Sequence, residues 1–344
     1  MKALVKTAKG VGNIELRDVP EPTMAPDQVM LEIKATGICG TDIHILHDAF
    51  PYWPPVIMGH EFAGEIIAVG DQVEGWQVGD RVVGEPHTLA CGKCYLCRTG
   101  NIQICPEKRS PGWGIDGAFT KYLPYPPHLL HRIPDTMTYE EAALVEPTAN
   151  IVTDVLERAK VEPEDFVVVL GPGPIGLTAA MAARAEGARA VMLVGVEADE
   201  PLRLKTAREL GIDHVVNLQQ EDPVEKCLEL TDGRGADLLV ECSGAPPAIA
   251  STPQYIRKLG RICAVGLTGK RPVEFDWDAA QAKVCTIIFN MSTFYTSWDR
   301  AISMIASGKI NAKAITTHIL PLERWQEGFD AIENMEALKV VLIP

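Results

Sequence analysis

The sequence predicts an α/β protein in which a small β barrel precedes a doubly wound parallel sheet. Residues 1–146 contain short alternating or apolar runs separated by Gly, Pro and Asp, which is typical of antiparallel strands. Residues 147–288 change to an alternation of apolar strands and helices, which is typical of a parallel sheet. The chain has 344 residues, which is long for a single core, so we expect two domains.

The composition argues against several kinds of partner. The formal net charge of −14 disfavours a nucleic acid or an anionic membrane as the main partner. The longest apolar region, residues 166–183, is interrupted by Gly171-Pro172-Gly173-Pro174 and by Gly176, so it is not a membrane span. No N-terminal segment combines basic residues with an apolar stretch and a cleavage site. We therefore predict a cytoplasmic protein that acts on a small molecule.

Strands are predicted in the first segment at residues 4–6, 29–35, 62–69 and 80–84. The stretch Ile38–His44 follows the second of these strands, so we expect it to form a turn at a strand end. Such a turn would aim the side chains of Cys39, Thr41 and His44 into one space. Residues 289–344 are expected to return to this domain, because its barrel lacks enough strands to close.

The second segment begins with a buried strand at residues 166–170 and an Ala-rich helix at 175–186 that ends at Gly187. The same patterns predict strands at 190–194, 237–241 and 261–265, and a helix at 201–210 that stops at Gly211. The tail adds helices at 298–307 and 322–334 and a last strand at 339–343. The order of elements in the second segment predicts a doubly wound parallel sheet.

A glycine-rich loop joins the first strand and helix of this sheet. Gly171, Gly173 and Gly176 fit the pattern G-x-G-x-x-G, with Pro174 and Ile175 between the last two glycines. The first glycine allows a tight turn, the second lets the backbone approach a pyrophosphate, and the third allows close packing of helix on strand. The free N–H groups at the helix start would bind the phosphates, so the loop predicts a dinucleotide site.

Acidic residues follow the second strand of the sheet, where a carboxylate should hold the adenosine ribose. Glu197 or Asp199 would accept the ribose hydroxyls and repel a 2′-phosphate, which favours NAD over NADP. Arg203 lies close enough in sequence to support NADP instead. A solvated loop before a helix N-terminus would also explain these acids.

Four cysteines lie within fifteen residues, and they are Cys91, Cys94, Cys97 and Cys105. Four thiolates at this spacing can complete a tetrahedral shell around zinc, and no histidine lies inside the pattern. We therefore predict a closed, structural zinc site in a lobe at about residues 86–108. An iron–sulfur cluster and unmetallated thiols are the alternatives.

A second metal centre is predicted from residues far apart in sequence. Cys39 and His60 would supply a thiolate and an imidazole, and either Glu146 or Glu61 would supply the third ligand. A zinc ion held by three such ligands keeps one position for an alcohol oxygen.

Two further residues near Cys39 suit proton transfer. Thr41 is placed to take the alcohol proton, and the imidazole of His44 can pass that proton to water. Each of these residues has an ordinary structural explanation when it is considered alone. Their occurrence together with a dinucleotide loop and a zinc lobe makes the catalytic interpretation stronger.

The order and spacing of Cys39-Gly40-Thr41-Asp42, Gly59-His60-Glu61, the cysteine lobe and the glycine loop resemble the zinc-dependent medium-chain alcohol dehydrogenases. The resemblance covers the whole chain. It implies a GroES-like catalytic domain at 1–146, a Rossmann domain at 147–288 and a C-terminal segment at 289–344. It also implies NAD(P), a catalytic and a structural zinc, a proton relay through Thr41 and His44, and a homodimer or homotetramer whose interface includes residues 282–288.

Details of the motifs point to one branch of this family. Glu146-Pro147 resembles the polyol (sorbitol or L-iditol) and L-threonine dehydrogenases, whereas the ethanol-type branch has a cysteine there. By position, Glu61 matches an acid that is a ligand in some members and Lys339 matches a residue on the pyrophosphate. Gly195 departs from the Asp usual in NAD-linked members. We favour a secondary alcohol of a sugar alcohol or sugar acid, with L-threonine as alternative and a non-catalytic structural protein as remote alternative. A phosphorylated polyol is the third substrate option, although the sequence offers no evident cluster of Arg and Lys near the site.

Overall fold

The computed structural model describes residues 1–269 and 272–344, which form two units. The first unit contains Met1–Ala149, Ser292–Ser307 and Thr316–Pro344, and the second contains Asn150–Met291 and Gly308–Ile315. The chain therefore leaves the first unit twice, after Ala149 and after Ser307, and returns to it each time. None of the helices in the described residues has the length and apolar character needed to cross a membrane.

The first stretch of the chain is mainly antiparallel. Its strands are β1 (Lys2–Lys6), β2 (Ile14–Asp18), β3 (Val29–Gly37), β4 (Val56–Ile57), β5 (Glu61–Val69), β6 (Arg81–Gly84), β7 (Tyr122–Tyr125) and β8 (Leu130–Arg132). Its helices are α1 (Gly40–Leu46), α2 (Tyr95–Arg98), α3 (Tyr139–Ala142) and α4 (Val145–Ile151). Val29, Leu31 and Ile33 alternate with less buried residues along β3 and pack in a core with β5.

A six-stranded parallel sheet forms the centre of the second unit, in the order β11-β10-β9-β12-β13-β14. Its strands are β9 (Phe166–Leu170), β10 (Ala190–Gly195), β11 (His214–Asn217), β12 (Ala236–Glu241), β13 (Ile256–Ala264) and β14 (Thr286–Phe289). Its helices are α5 (Pro174–Glu186), α6 (Lys205–Glu209), α7 (Pro223–Leu230), α8 (Pro246–Tyr255) and α9 (Trp277–Ala282). The central strands β9 and β12 are buried throughout, so the predicted doubly wound sheet is confirmed.

A π-helix at Val152–Arg158 follows α4. The last part of the chain contains α10 (Tyr295–Ala306), α11 (Ala312–Ile315), β15 (Thr316–Pro321), α12 (Trp325–Glu333) and β16 (Lys339–Ile343). β16 pairs antiparallel with β3, and β15 pairs parallel with β16. These pairs extend the larger sheet of the first unit, whose order is β15-β16-β3-β5-β6-β8 with β7 beside β3. A smaller sheet has the order β2-β1-β4.

One local prediction was wrong. The stretch expected as a turn at Ile38–His44 instead starts the helix α1, because Asp42 caps the Cys39 backbone N–H at 2.9 Å and Ile45 packs in the core. The helix expected at 201–210 is confirmed, and it begins as a π-helix at Glu200–Leu204 before it becomes α-helical in α6. Glu146, the other candidate ligand, lies within the first turn of α4.

Candidate metal centres and dinucleotide cavity

Four cysteine side chains meet in the lobe between β6 and β7. The Sγ atoms of Cys91, Cys94, Cys97 and Cys105 all lie within 4.8 Å of one another. Cys97 is in α2, and Cys94 caps that helix by accepting the Cys97 backbone N–H. The structure therefore brings together all four thiols that the sequence predicts as one set.

The spacing of these sulfur atoms suits a tetrahedral ion. The Sγ atoms of Cys91 and Cys105 are 3.6 Å apart, and those of Cys91 and Cys97 are 4.0 Å apart. Zinc with bonds of about 2.3 Å to four sulfurs needs sulfur–sulfur distances of about 3.8 Å. Donation from the Cys91 backbone N–H is the main reason that the pKa of Cys105 falls to about 7, whereas burial is the main reason that the pKa of Cys97 rises to about 12. A bound zinc ion would favour the thiolate form of both. The donor set fits a closed zinc site.

Three donors of different chemistry meet where α1, β3 and β5 adjoin. One ligand atom each of Cys39, His60 and Glu61 lies within 4.8 Å of the others. Cys39 caps α1 directly after β3 ends, and His60 and Glu61 stand where β5 begins. The antiparallel register pairs Gly37 of β3 with Glu61 of β5, which brings these distant parts of the sequence together.

Glu61 is fully buried and forms an ion pair with Lys339 of β16. The Lys339 ammonium also donates to the Ile38 carbonyl oxygen at 2.9 Å. A Cβ on Gly37 would collide with the Glu61 carboxylate and would lie 2.9 Å from Lys339 Cε, so the pair needs glycine at this position. Lys339 thus pairs its charge with that of Glu61. The contact that Lys339 is expected to make with a pyrophosphate stays a prediction.

The electrostatics around His60 suit a cation. Burial alone would lower the pKa of His60, but Cys39, Asp42 and Glu146 together raise it to about 10. In the described residues, His60 Nδ1 and Glu61 Oε1 are buried without a hydrogen-bond partner. A half-buried thiol beside a buried imidazole and a buried carboxylate fits zinc, which would replace the proton that the acids favour on His60.

Glu146 lies near these donors but outside their group. It is 7% exposed and does not belong to the set of ligand atoms within 4.8 Å of one another. Burial lowers the pKa of His60 and of Lys339, and the charge of Glu146 nevertheless acts to raise both. Of the two acids expected as the third ligand, Glu61 therefore lies in the group and Glu146 beside it.

Thr41 and His44 both lie in α1, one turn apart and half-buried. The Thr41 Oγ1 atom is 3.7 Å from Cys39 Sγ. Residues three apart in a helix share a face, so the helix places the two expected relay residues on one side.

A buried polar network joins β6, β8 and α10 in the first unit. His131 Nε2 is 3.0 Å from Glu85 Oε1, and His131 Nδ1 is 2.9 Å from Asp299 Oδ1. Burial would lower the pKa of His131, but these two bonds raise it overall. His87 Nε2 is 3.1 Å from both the carbonyl oxygen and Oγ1 of Thr293, and burial is the main reason that the pKa of His87 falls to about 3.

A cavity of about 870 Å³ lies over the glycine loop in the second unit. Gly171 and Gly173 line it, and Gly171 has a φ of 99°, which is left-handed and favours glycine. A Cβ on Gly176 would collide with the Gly171 carbonyl oxygen, while Pro174 and Ile175 begin α5. The volume suits a small-molecule site, and the start of α5 offers N–H groups to a pyrophosphate.

Asp199 and Arg203 also line this cavity. Asp199 Oδ1 accepts from Arg203 Nη1 at 2.9 Å, and Asp199 Oδ2 accepts from the Val196 backbone N–H at 3.0 Å. Glu197 is exposed and accepts from Asn217 Nδ2 at 2.7 Å. Of the two acids expected to hold the ribose, Asp199 is the one that lines the cavity, and its charge is shared with Arg203.

Three polar residues of the first unit were not predicted from the sequence to belong to a site. Asp42 is fully buried, and its Cys-x-x-Asp capping spacing was a usable signal. His131 and Lys108 gave no local signal, because their partners Asp299 and Ser292 are 168 and 184 residues away in sequence.

Comparison with known proteins covers both units. The family model for the alcohol dehydrogenase GroES-like domain matches residues 25–135, and the model for zinc-binding dehydrogenases matches residues 174–307. A sorbitol dehydrogenase of Halalkalibacterium halodurans is 39% identical over 100% of this chain and 99% of its own length. A D-arabitol-phosphate dehydrogenase of Enterococcus avium is 34% identical over 99% of this chain and 97% of its own length.

A solved structure is similar along its whole length. A protein of Sinorhizobium meliloti 1021, solved with bound NADP and described as a zinc-binding dehydrogenase, is 29% identical with a TM-score of 0.91. The match covers 100% of this chain and 99% of that chain.

Proposed function

The chain belongs to the zinc-dependent medium-chain alcohol dehydrogenase family, and we propose on this basis that it transfers hydride between a secondary alcohol and NAD(P). The substrate class that we propose is a sugar alcohol, a sugar acid or a related polyol. Relatives named for sorbitol and for D-arabitol phosphate support this class.

One observation carries the proposal more than any other. A thiol, an imidazole and a carboxylate from Cys39, His60 and Glu61 converge within 4.8 Å in a buried setting that favours a cation. We propose these residues, with Glu146 as the alternative to Glu61, as the ligands of a catalytic zinc. We propose Cys91, Cys94, Cys97 and Cys105 as the ligands of a structural zinc.

Bound zinc would supply a Lewis acid that lowers the pKa of a hydroxyl group, and bound NAD(P) would supply the hydride acceptor. The chain itself would have to remove the alcohol proton. We assign the first step to Thr41 Oγ1, which lies beside Cys39, and the transfer to water to His44 one turn later. Because α1 is a helix rather than a loop, both groups are held on a rigid element.

We propose that the cavity of the second unit binds the adenosine half of the dinucleotide. Gly171, Gly173, Pro174, Ile175 and Gly176 would hold the pyrophosphate at the start of α5. Asp199 would accept the ribose hydroxyls and, with Glu197 close in sequence, disfavour a 2′-phosphate, so NAD is the preferred cofactor. Arg203 lines the same cavity and supports some use of NADP.

The other proposals concern the whole chain. We propose that residues 1–146 and 289–344 form the catalytic domain and residues 147–288 the dinucleotide domain, and the two units support this division. We also propose a cytoplasmic homodimer or homotetramer. β14 is an edge strand of its sheet and would supply the interface, and light scattering of the purified protein tests the assembly.

A substrate panel tests the proposed function. The zinc-loaded protein is assayed by nicotinamide reduction with sorbitol, xylitol, galactitol, gluconate, L-threonine and simple secondary alcohols, each with NAD and with NADP. We expect turnover of polyols or sugar acids with NAD. Preferred turnover of L-threonine would support the alternative branch instead. No turnover across the panel would contradict the proposal and favour a non-catalytic protein.

A further inference from the structure

Lys108 is a half-buried lysine of the first unit that lacks an acidic partner. Its ammonium donates to the Gln103 carbonyl oxygen at 3.2 Å and to Ser292 Oγ at 3.3 Å. Across the ranges that the structure describes, 1–269 and 272–344, no carboxylate oxygen lies within 4.0 Å of it. A cation removed from water is costly unless an anion compensates it. Its two neutral acceptors leave the charge available to an anionic ligand.

The surroundings place this charge close to Glu146, which we propose as the alternative third ligand of the catalytic zinc. Burial lowers the pKa of Lys108 to about 8, and Glu146, Cys105 and Glu85 oppose that shift. Glu146 is also the acid that acts on His60. The Glu146 carboxylate therefore raises the pKa of both Lys108 and His60. With a pKa of about 8, the Lys108 ammonium stays charged at neutral pH.

The nearby acids are already engaged. Glu85 shares its charge with His131 through a contact of 3.0 Å. Glu146 lies beside the proposed zinc, whose two positive charges would offset it. An anion approaching Lys108 would therefore meet a local positive charge, although the chain as a whole has a net charge of −14.

His87 adds a neutral group beside Lys108. Burial and the Lys108 charge both lower the pKa of His87, so the imidazole is neutral at pH 7. Its Nε2 faces the Thr293 carbonyl oxygen, and within the described residues its buried Nδ1 has no partner. If Nε2 donates to that carbonyl, Nδ1 is left to accept from a hydroxyl group. A cation and a neutral acceptor side by side suit a molecule with an anionic group and hydroxyls.

We propose that Lys108 binds an anionic group of the substrate, a phosphate monoester or a carboxylate, and that the preferred alcohol is therefore an anionic polyol. This inference rests on the proposed function, because it specifies the substrate of that same site. Ser292 Oγ and His87 Nδ1 complete the polar surface around the anion. The name of the Enterococcus avium relative, a D-arabitol-phosphate dehydrogenase, agrees with this substrate class.

The test compares substrates that differ in one anionic group. Specificity constants are measured for sorbitol, sorbitol 6-phosphate and gluconate in the wild type, Lys108→Met, Lys108→Arg and the matched control Lys93→Met, which removes an exposed lysine of the same lobe. We expect the wild type to prefer an anionic substrate by at least about tenfold, as a charge-assisted bond would give. Lys108→Met should lower the ratio of the specificity constants for anionic and neutral substrates at least about tenfold, through a higher KM for the anionic substrate. Lys108→Arg should restore part of this ratio. Lys93→Met should leave the ratio unchanged.

A binding experiment makes the test independent of turnover. Inorganic phosphate is titrated into the wild-type protein and the same variants by calorimetry. We expect the wild type to bind phosphate and Lys108→Met to bind it at least about tenfold more weakly. Preference for sorbitol 6-phosphate would identify the anion as a phosphate, and preference for gluconate would identify it as a carboxylate.

Several outcomes would overturn the inference. A wild type that prefers sorbitol over both anionic substrates would refute it and leave the proposed function standing. An equal loss on all three substrates in Lys108→Met, with no rescue by Lys108→Arg, would mean that Lys108 only supports the fold. No turnover of any alcohol would refute the proposed function, and the phosphate titration would then still decide whether Lys108 binds an anion.

Discussion

Gly37 is the residue on which the buried Glu61–Lys339 pair depends. A Cβ at Gly37 would meet the Glu61 carboxylate and Lys339 Cε, so Gly37→Ala should lower the free energy of unfolding by about 1–3 kcal/mol. Urea denaturation measures the change. Gly40→Ala is the matched control, because a Cβ there meets nothing within 4 Å. Equal stability of the two variants would mean that the pair adapts to a larger residue.

His60 is the residue whose replacement best separates chemistry from dinucleotide binding. His60→Ala removes one proposed metal ligand, so kcat/KM should fall by more than about 100-fold. Dinucleotide affinity should stay within about twofold, because the glycine loop belongs to the other unit. Steady-state kinetics and quenching of protein fluorescence by NADH measure the two quantities. Retained turnover would contradict the catalytic zinc.

At the scale of elements, the cysteine lobe should contribute to the thermal stability of the fold rather than to the hydride transfer. Cys94→Ser breaks the four-sulfur set, so the metal content should fall from two zinc ions per chain to one, and the melting temperature should fall by at least about 3 °C. Elemental analysis and calorimetry measure both. Cys285→Ser, in the second unit, should leave the zinc content unchanged. A variant that keeps both zinc ions would exclude this lobe as the structural site.

The contact between β8 and α10 should make stability depend on pH. Because the pKa of His131 is raised in the folded state, the contact stabilises the fold fully below the unfolded pKa of about 6.5 and loses this effect as pH rises through the folded pKa. Asp299→Asn removes one cause of the shift. It should lower stability by about 1 kcal/mol or less at pH 6, since Asp299 is 73% exposed, and by less at pH 9.

Urea denaturation at both pH values checks this expectation. Asp135→Asn is a suitable control, since Asp135 is fully exposed and faces Arg81, which does not titrate in this range. Equal destabilisation by Asp299→Asn at pH 6 and pH 9 would show that charge on His131 contributes nothing.

For the whole molecule, periodicity predicted the parallel sheet well and the long-range polar contacts poorly. The apolar runs of β9 and β12 and the glycine at the end of α5 are local signals, and the structure confirms these elements. The helix α1 was missed because it is short and starts within the stretch Cys39-Gly40-Thr41, which is typical of turns.

Strands such as β2 and β7 were missed because they are short and depend on pairing with distant partners, β1 and β3. The same reason explains the site residues. Cys39 and His60 were identified from motifs, but the position of Lys108 depends on a contact with Ser292 that no local pattern encodes.

Both proposed zinc sites lie in the first unit, and the cavity proposed for the dinucleotide lies in the second. Ligands that bind only the folded state stabilise the unit that holds them. Removal of metal with a chelator should therefore lower the unfolding temperature of the first unit, whereas NAD at 100 times its Kd should stabilise the second by about 2.7 kcal/mol. Scanning calorimetry, with hydrogen exchange to assign each transition, measures both. A single transition that both treatments shift equally would mean that the two units unfold together, and the sites would then have to be separated by mutation.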